Sequence, residues 1–331
     1  MFTSRSQGRR FGRFAKVAAV LSVGTLALVG CADNGEGGGD ATYSIGINQL
    51  VQHPALDSAT AGFQAAFDDA GVNVDWDVQN ANGEQATAQT ISQQFASANL
   101  DMVLAVATPA AQATVQSIQD VPVLFTAVTD PVSAELVDSM EEPGANVTGT
   151  SDAAPIEEQL DLLKELVPDA ERIGIVYASG EVNSQVQVDE AKEAAEPRGL
   201  EIVTQTVTNV TEIPQAVEAI GDVDAFYVPT DNMVVSGIAS LVQAAEASQT
   251  PVIAAEAGTV EGGAVATLGI DYEALGRQTG EMALRILEEG EDPDTMAVET
   301  AAEFTYMVNE EAAERQGVEI PEAILNEAET V

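Results

Sequence analysis

The sequence predicts an α/β protein built as two similar halves, each a parallel β-sheet flanked by helices. Three observations carry this. Short runs rich in Val, Ile and aromatic residues alternate with amphipathic helical stretches from Tyr43 to Gln316, the pattern of βαβ units. The rhythm breaks at Glu142-Pro143-Gly144-Ala145-Asn146 and restarts at Pro155. Polar loops stand where predicted strands end and helices begin, and open α/β sheets bind ligands outside the carboxyl ends of their strands.

The chain opens with a basic segment, Arg5 to Lys16, and an apolar run, Val17 to Val29, too short to span a bilayer but suited to a signal peptide. Leu28-Val29-Gly30-Cys31 ends it. This resembles a bacterial lipoprotein signal, which implies lipidation at Cys31. Cys31 is the only cysteine, so no disulfide forms within one chain. Ala32 to Thr42 is a Gly-rich acidic tether.

The predicted strands of the first half are 43–47, 72–78, 101–106 and 122–128, with helices at 56–70, 84–98 and 109–118 and a short amphipathic piece at 132–140. Asn146 to Thr150 runs extended into the second half. There the expected helices are 155–166, 184–198, 212–219, 233–247 and 272–289. The expected strands are 172–177, 201–206, 225–228, 251–254 and 264–268. A strand at 303–308 and a helix at 310–316 close the chain. Trp76, in the middle of a strand, is expected to pack.

Charge excludes some functions. Five of the 12 Lys and Arg precede residue 20, no Asp or Glu precedes Asp33, and the remaining seven bases face 54 acids, a net charge of −47. Nucleic-acid binding needs cations for phosphates, and so does docking on an anionic membrane through a basic patch. A hydrated acidic surface suits high salt, where self-repulsion is screened within about 3 Å at 1 M. Catalytic signatures are missing: a single histidine, no G-x-S-x-G, no Walker loop and no G-x-G-x-x-G. No cofactor and no metal site is expected.

Three strand ends carry candidate ligand groups. Thr108-Pro109-Ala110 opens a helix whose N–H groups suit an anion. Thr129-Asp130-Pro131 and Thr230-Asp231-Asn232 follow two further strands. Each reads equally as a helix cap. From Cys31 to Leu163 there is no Lys or Arg, so a carboxylate there must be held by N–H and hydroxyl groups. A zwitterion matches, its ammonium on Asp231 first and Asp130 second. His53 is either a loop residue before Pro54 or a ligand contact near Asn48-Gln49.

The region from Tyr43 to Glu329 resembles the substrate-binding lipoproteins of ABC transporters, in the family that includes tryptophan and tyrosine receptors. The matching stretches are His53-Pro54-Ala55-Leu56-Asp57, Val121-Pro122-Val123 through Thr129-Asp130-Pro131-Val132, Asn146-Val147-Thr148-Gly149 and Leu166-Val167-Pro168-Asp169-Ala170. Tyr227-Val228-Pro229-Thr230-Asp231-Asn232, Gly269-Ile270-Asp271-Tyr272 through Gly276-Arg277-Gln278-Thr279-Gly280, Val308-Asn309 and Gly317-Val318-Glu319-Ile320-Pro321 also match. The resemblance implies a periplasmic-binding-protein-like fold of type I: two Rossmann-like lobes joined by a three-segment hinge. Crossovers are expected near Thr148–Ser151, Ala254–Thr259, and Leu268–Asp271 or the tail. The implied organisation is a signal peptide at 1–30, a tether at 31–42, lobe one at 43–149 completed by 269–300, and lobe two at 150–268 with part of 301–331.

The resemblance also implies a monomeric receptor, anchored by lipid on the outer face of the cell membrane. It would close on an amino acid, often aromatic, and serve an ABC permease. A sensor of the same fold uncoupled from transport, or a receptor for a nucleoside or sugar, is the alternative; an enzyme is not expected. The full candidate ligand set is Asn48, Gln49, His53, Thr108, Pro109, Ala110, Thr129, Asp130, Pro131, Thr148, Asn183, Thr230, Asp231, Asn232, Glu256 and Asp271.

Overall fold

The computed structural model describes residues 42–301 and 304–331; the expected leader, Cys31 and most of the tether lie outside them. The first lobe holds strands β1 (Thr42–Gln49), β2 (Asn73–Asn80), β3 (Met102–Val106), β4 (Val123–Val128) and β5 (Val147–Ser151). Helices α1 (Pro54–Ala70), α2 (Gln85–Ser97) and α3 (Thr108–Ser117) connect the first four. The second lobe starts with α4 (Ile156–Leu166) and holds β6 (Arg172–Ala178), β7 (Glu201–Val207), β8 (Ala225–Val228), β9 (Val252–Ala254) and β10 (Ala266–Gly269). Its other helices are α5 (Val182–Ala195), α6 (Ile213–Ile220), α7 (Asn232–Ser236), α8 (Ile238–Ser248) and α9 (Ala257–Glu261). The remainder is α10 (Tyr272–Leu284), β11 (Glu299–Thr300), β12 (Thr305–Val308), α11 (Glu310–Gln316), α12 (Glu322–Leu325) and β13 (Glu329–Thr330).

The sheets repeat one topology. The first runs β2-β1-β3-β4-β5-β11, all parallel. The second runs β7-β6-β8-β9-β10 in parallel, then β12 antiparallel to β10, with β13 beside β12. Strand order reverses at β1/β3 and again at β6/β8, the crevice where such sheets hold ligands.

Three crossings join the lobes: β5 to α4, β10 to α10, and β11 to β12. The crossover expected at Ala254–Thr259 is not one. β9, α9 and β10 all stay in the second lobe, because β10 pairs with β9 in parallel and needs α9 as its own connection.

Helix α10 belongs to the first lobe by packing. A Cβ on Gly62 would stand 2.0 Å from the Glu273 carbonyl oxygen, and one on Gly276 1.9 Å from that of Ala59. Only hydrogen fits where α1 and α10 cross. Thr150 and Thr279 hydroxyls, 2.7 Å apart, lock α10 to β5. Trp76 packs as expected, with ring centroids 5.9 Å from Phe63 and 5.4 Å from Phe67.

Three elements differ from the periodicity. Residues 132–140 form turns rather than a helix; Asp130 caps the loop instead, accepting the N–H groups of Val132 and Ser133. The helix expected over 233–247 splits at Gly237, where a Cβ would press within 2.5 Å of Val210. The helix expected over 272–289 ends as a π turn, Arg285–Glu289, closed by Gly290 at φ 74°. Among the described residues, no helix is long and apolar enough to cross a membrane.

Candidate functional site

The carboxyl ends of both sheets face one interlobe cleft. On the lobe-one side, β3 ends at Ala107, with φ 81° and ψ 152°, a conformation that L residues avoid and that costs on the order of 1–3 kcal/mol. That turn starts α3 at Thr108-Pro109. Pro109 has no N–H to lose, and the Ala111 N–H returns to the Ala107 carbonyl at 3.0 Å. The other first-turn N–H groups are left for an outside acceptor. The Thr108 hydroxyl is buried and meets no partner. An acceptor here gains a helix N-terminus and a hydroxyl without any cationic side chain.

The next strand, β4, also ends under strain. Ala127 has φ 55°, and the register of β4 with β5 shifts between Phe125 and Val128. Gly149 permits it: at φ 155°, a Cβ there would lie 2.0 Å from the Phe125 carbonyl oxygen. The bulge presents Thr129 to the other lobe, its hydroxyl 3.3 Å from that of Thr230.

Lobe two offers carboxylates instead. Asp231 caps α7: Oδ1 accepts the Val234 N–H at 2.7 Å and Oδ2 the Ala178 N–H at 2.5 Å, clipping α7 to the end of β6. Glu181, just beyond β6, accepts at Oε2 from the Asn232 side chain (2.6 Å), the Asn232 N–H (3.2 Å) and the Asn183 amide (3.2 Å). Its Oε1 accepts from the Met233 N–H at 3.2 Å. Burial pushes the Glu181 carboxyl up to about 7, and the Asp231 charge beside it adds to this. Burial also raises Asp231 and Glu256. Glu256 caps α9, accepting the Gly258 N–H at 2.7 Å and the Thr259 hydroxyl.

A relay of hydrogen bonds crosses the cleft. Gln187 of α5 donates to the Thr230 hydroxyl at 2.6 Å; Thr230 meets Thr129; Thr129 donates to Asp152 at 3.0 Å. Asp152 then accepts the Tyr272 hydroxyl at 2.7 Å. The chain thus links both lobes to two of the three crossings. Burial raises the Asp152 carboxyl, against the pull of both hydroxyls.

Partly open spaces lie between the lobes: one of about 280 Å³ between Pro54, Ala55 and Ser58 of α1 and Glu256, Gly258 and Glu261 at α9, and two at the strand ends. One of these two, about 10 Å³, is lined by His53, Ala127, Asp152, Thr230, Asn232 and Tyr272 among others, and holds at most one water. The other, about 190 Å³, lies between Leu50, Gln85 and Pro109 of lobe one and Glu181, Val207 and Met233 of lobe two. No Lys or Arg lines either. The seven bases of the described chain are engaged elsewhere, as in Arg172–Glu201, Arg198–Asp161, Arg285–Glu299 and Arg315–Glu246, or on carbonyls in the case of Lys164.

The expected ligand groups therefore divide. His53, Thr129, Thr230, Asp231, Asn232 and Glu256 line the smaller strand-end space or its rim, and Pro109 lines the larger strand-end one. Asn183 stands against Glu181. His53 stands at the N-cap position of α1 without a side-chain capping bond, both ring nitrogens buried and unpartnered, and burial holds it down at about 4. Asn48 spends its amide N–H groups inside lobe one, on the Ala88 carbonyl, Ser92 and Thr114, while its Oδ1 meets no donor. Gln49 is likewise spent on Val51, Asp57 and Thr60, and Thr148 on the Met296 carbonyl. Asp271 caps α10. Asp130 turns to its own loop, Oδ1 accepting the Val132 and Ser133 N–H groups and Oδ2 the Ser133 hydroxyl, so its expected ammonium contact gives way. Asp231 borders the cleft, but both its oxygens are committed to backbone, which weakens it as first choice. Reading the sequence missed Glu181, Asp152, Gln187 and Tyr272. Ser179-Gly180-Glu181 follows a predicted strand as Thr108 and Thr230 do, and that position was the available signal.

The chain as a whole is similar to several known proteins. The chain is 40% identical over 315 residues to the tyrosine-binding protein of Clostridioides difficile (strain R20291), covering 89% of this chain and 90% of that one. The solved structure of an ABC domain in complex with L-Trp from Streptococcus pneumonia superposes with a TM-score of 0.85 at 37% identity, covering 88% of this chain and 100% of that one. A ligand-free, open substrate-binding protein from Clostridium difficile gives 0.68 at 44% identity, covering 87% and 99%. The family model described as ABC transporter substrate binding protein matches residues 44–331. The chain belongs to the ABC transporter substrate-binding protein family.

Proposed function

We propose that this chain is an extracytoplasmic receptor that closes its lobes on a zwitterionic amino acid with an aromatic side chain and delivers it to an ABC permease. The carrying observation is the split polarity of the cleft. Lobe one brings a helix N-terminus and the unpartnered Thr108 hydroxyl; lobe two brings buried carboxylates; no Lys or Arg stands between them. A carboxylate suits the first wall and an ammonium the second. Leu50, Val207 and Met233 supply apolar surface beside them for a side chain. The related proteins bind tyrosine and L-Trp.

Closure is the second half of the reading. The described arrangement matches the L-Trp complex better than the open form, although the open form has the higher identity, which favours a closed arrangement of the lobes. The strand-end spaces, about 190 Å³ and 10 Å³, fall below the roughly 300–1,000 Å³ of ligand sites, which fits a cleft that widens when the lobes part about the three crossings. Anchoring through Cys31 would hold the receptor at the membrane, and a monomer suffices for this cleft.

The test is mass spectrometry of ligand carried through purification, then calorimetry against all amino acids, sugars and nucleosides. Tyrosine or tryptophan should bind and reduce the radius of gyration in solution scattering. Binding of a sugar or nucleoside with no amino acid bound overturns the reading. Cys31→Ser should release the protein from membranes with ligand binding intact; retention at mature size would count against the anchor.

A further inference from the structure

We infer that the Glu181 carboxylate, together with the side-chain carbonyl of Asn183, accepts the ligand's ammonium group. The inference rests on the amino-acid reading above and deepens it. Four carboxylates are buried where the lobes meet, and their hydrogen bonds distinguish them. Asp231 has one short backbone bond on each oxygen, at 2.7 and 2.5 Å, and these build lobe two itself. Glu256 is occupied by Gly258 and Thr259 in capping α9. Asp152 takes a hydroxyl on each oxygen, from Thr129 and Tyr272.

Glu181 is different. Three of its four donors converge on Oε2. Oε1 has only the Met233 N–H, at 3.2 Å. A carboxylate oxygen takes about two donors, so Oε1 retains acceptor capacity. Glu181 is also the only one of the four that lines the space of about 190 Å³ at the strand ends, across from Pro109 in the first turn of α3; Glu256 lines the separate space beside α1.

Asn183 supplies the independent observation. It is 3% exposed. Its Nδ2 donates to Glu181 and to the Thr230 carbonyl, at 3.2 and 3.0 Å, which fixes the amide orientation. Its Oδ1 is buried and meets no donor. A buried acceptor without a donor is costly, and it calls for a donor from outside the chain. An ammonium has three N–H donors and can serve Glu181 Oε1 and Asn183 Oδ1 together. Its charge also favours the ionised form of Glu181, whose carboxyl burial raises.

The experiment compares L-tyrosine with its deaminated analogue, 3-(4-hydroxyphenyl)propanoate, by calorimetry on the parent, Glu181→Gln, Asn183→Ala and Asp130→Asn. The parent should prefer L-tyrosine. Glu181→Gln should weaken L-tyrosine by roughly 10- to 100-fold and erase that preference. Asn183→Ala should weaken it by about 3- to 10-fold, and Asp130→Asn should bind as the parent does. If Glu181→Gln does not fold, erasure of part of the preference by Asn183→Ala carries the test, and an unchanged preference there overturns the inference. Glu181→Gln that folds and keeps the parent's preference also overturns it while leaving the amino-acid reading intact. A parent that binds no amino acid overturns both.

Discussion

The two lobes share a strand order, yet their carboxyl ends are built differently. Lobe one reaches the cleft through strained backbone, with Ala107 at φ 81° and Ala127 at φ 55°, and leaves N–H and hydroxyl groups idle. Lobe two reaches it through unstrained caps, in which Asp231 and Glu256 hold short helices in place. The same topology thus yields an anion-receiving wall and a cation-receiving wall. The lesson is that polarity in such a cleft is set by how each strand ends, not by the sheet behind it.

Removing a cap from lobe two is the harshest way to break the contrast. Asp231→Ala strands the buried Ala178 and Val234 N–H groups and should cost about 2–4 kcal/mol, read as a fall in the urea midpoint. On the other wall, deleting an idle group should leave folding untouched.

pH separates the walls next, with opposite signs. His53 titrates at about 4 in the fold against 6.5 ordinarily. Between those values the unfolded chain holds a proton that the fold refuses, so stability falls as pH drops from 6.5 to 4. Glu181 titrates at about 7 against 4.5. Its contribution is full below 4.5 and is lost as pH rises through 7. Each effect is at most about 3 kcal/mol. Urea melts from pH 4 to 8 should show His53→Asn flattening the acid limb and Glu181→Gln part of the neutral limb. Asp152, Asp231 and Glu256, raised in the same direction, keep the rest. A parallel shift of the whole curve would contradict both assignments.

Relief of strain is a milder probe. Ala107→Gly should stabilise by about 1 kcal/mol, the strain released less the added chain entropy of glycine; a loss of stability would show the turn to be unstrained. The smallest effect is expected at Thr108. Because its hydroxyl has no partner, Thr108→Val should leave the melt within about 0.5 kcal/mol yet weaken ligand binding by about 0.5–1.5 kcal/mol.

Much of this was legible in the sequence, and the rest was hidden for physical reasons. The alternation of strands and helices, the polar strand ends and the Gly62 and Gly276 helices are local patterns. The role of Asn48 was not, because an amide at a strand end serves a ligand or a neighbouring helix according to where α2 and α3 pack. Asp231 looked free for the same reason: its partner on Ala178 lies 53 residues away. Tyr272 and Asp152 are 120 residues apart, and nothing in either neighbourhood announces the other. The crossover that the resemblance implied at Ala254–Thr259 failed because β9 and β10 pair in one sheet, a pairing between segments that neither one's local sequence reports.

The relay from Gln187 through Thr230, Thr129 and Asp152 to Tyr272 also bears on the balance between parted and closed lobes. Its link between lobes is a pair of neutral hydroxyls, with Gln187 at 3.5 Å from Thr129 as a second, weaker tie. Neutral bonds contribute about 0.5–1.5 kcal/mol each, so together they favour the closed over the parted arrangement by roughly 5- to 150-fold. A tie of that size biases the lobes toward closure without fixing them, so Thr129→Val should move the population toward the open form in solution scattering.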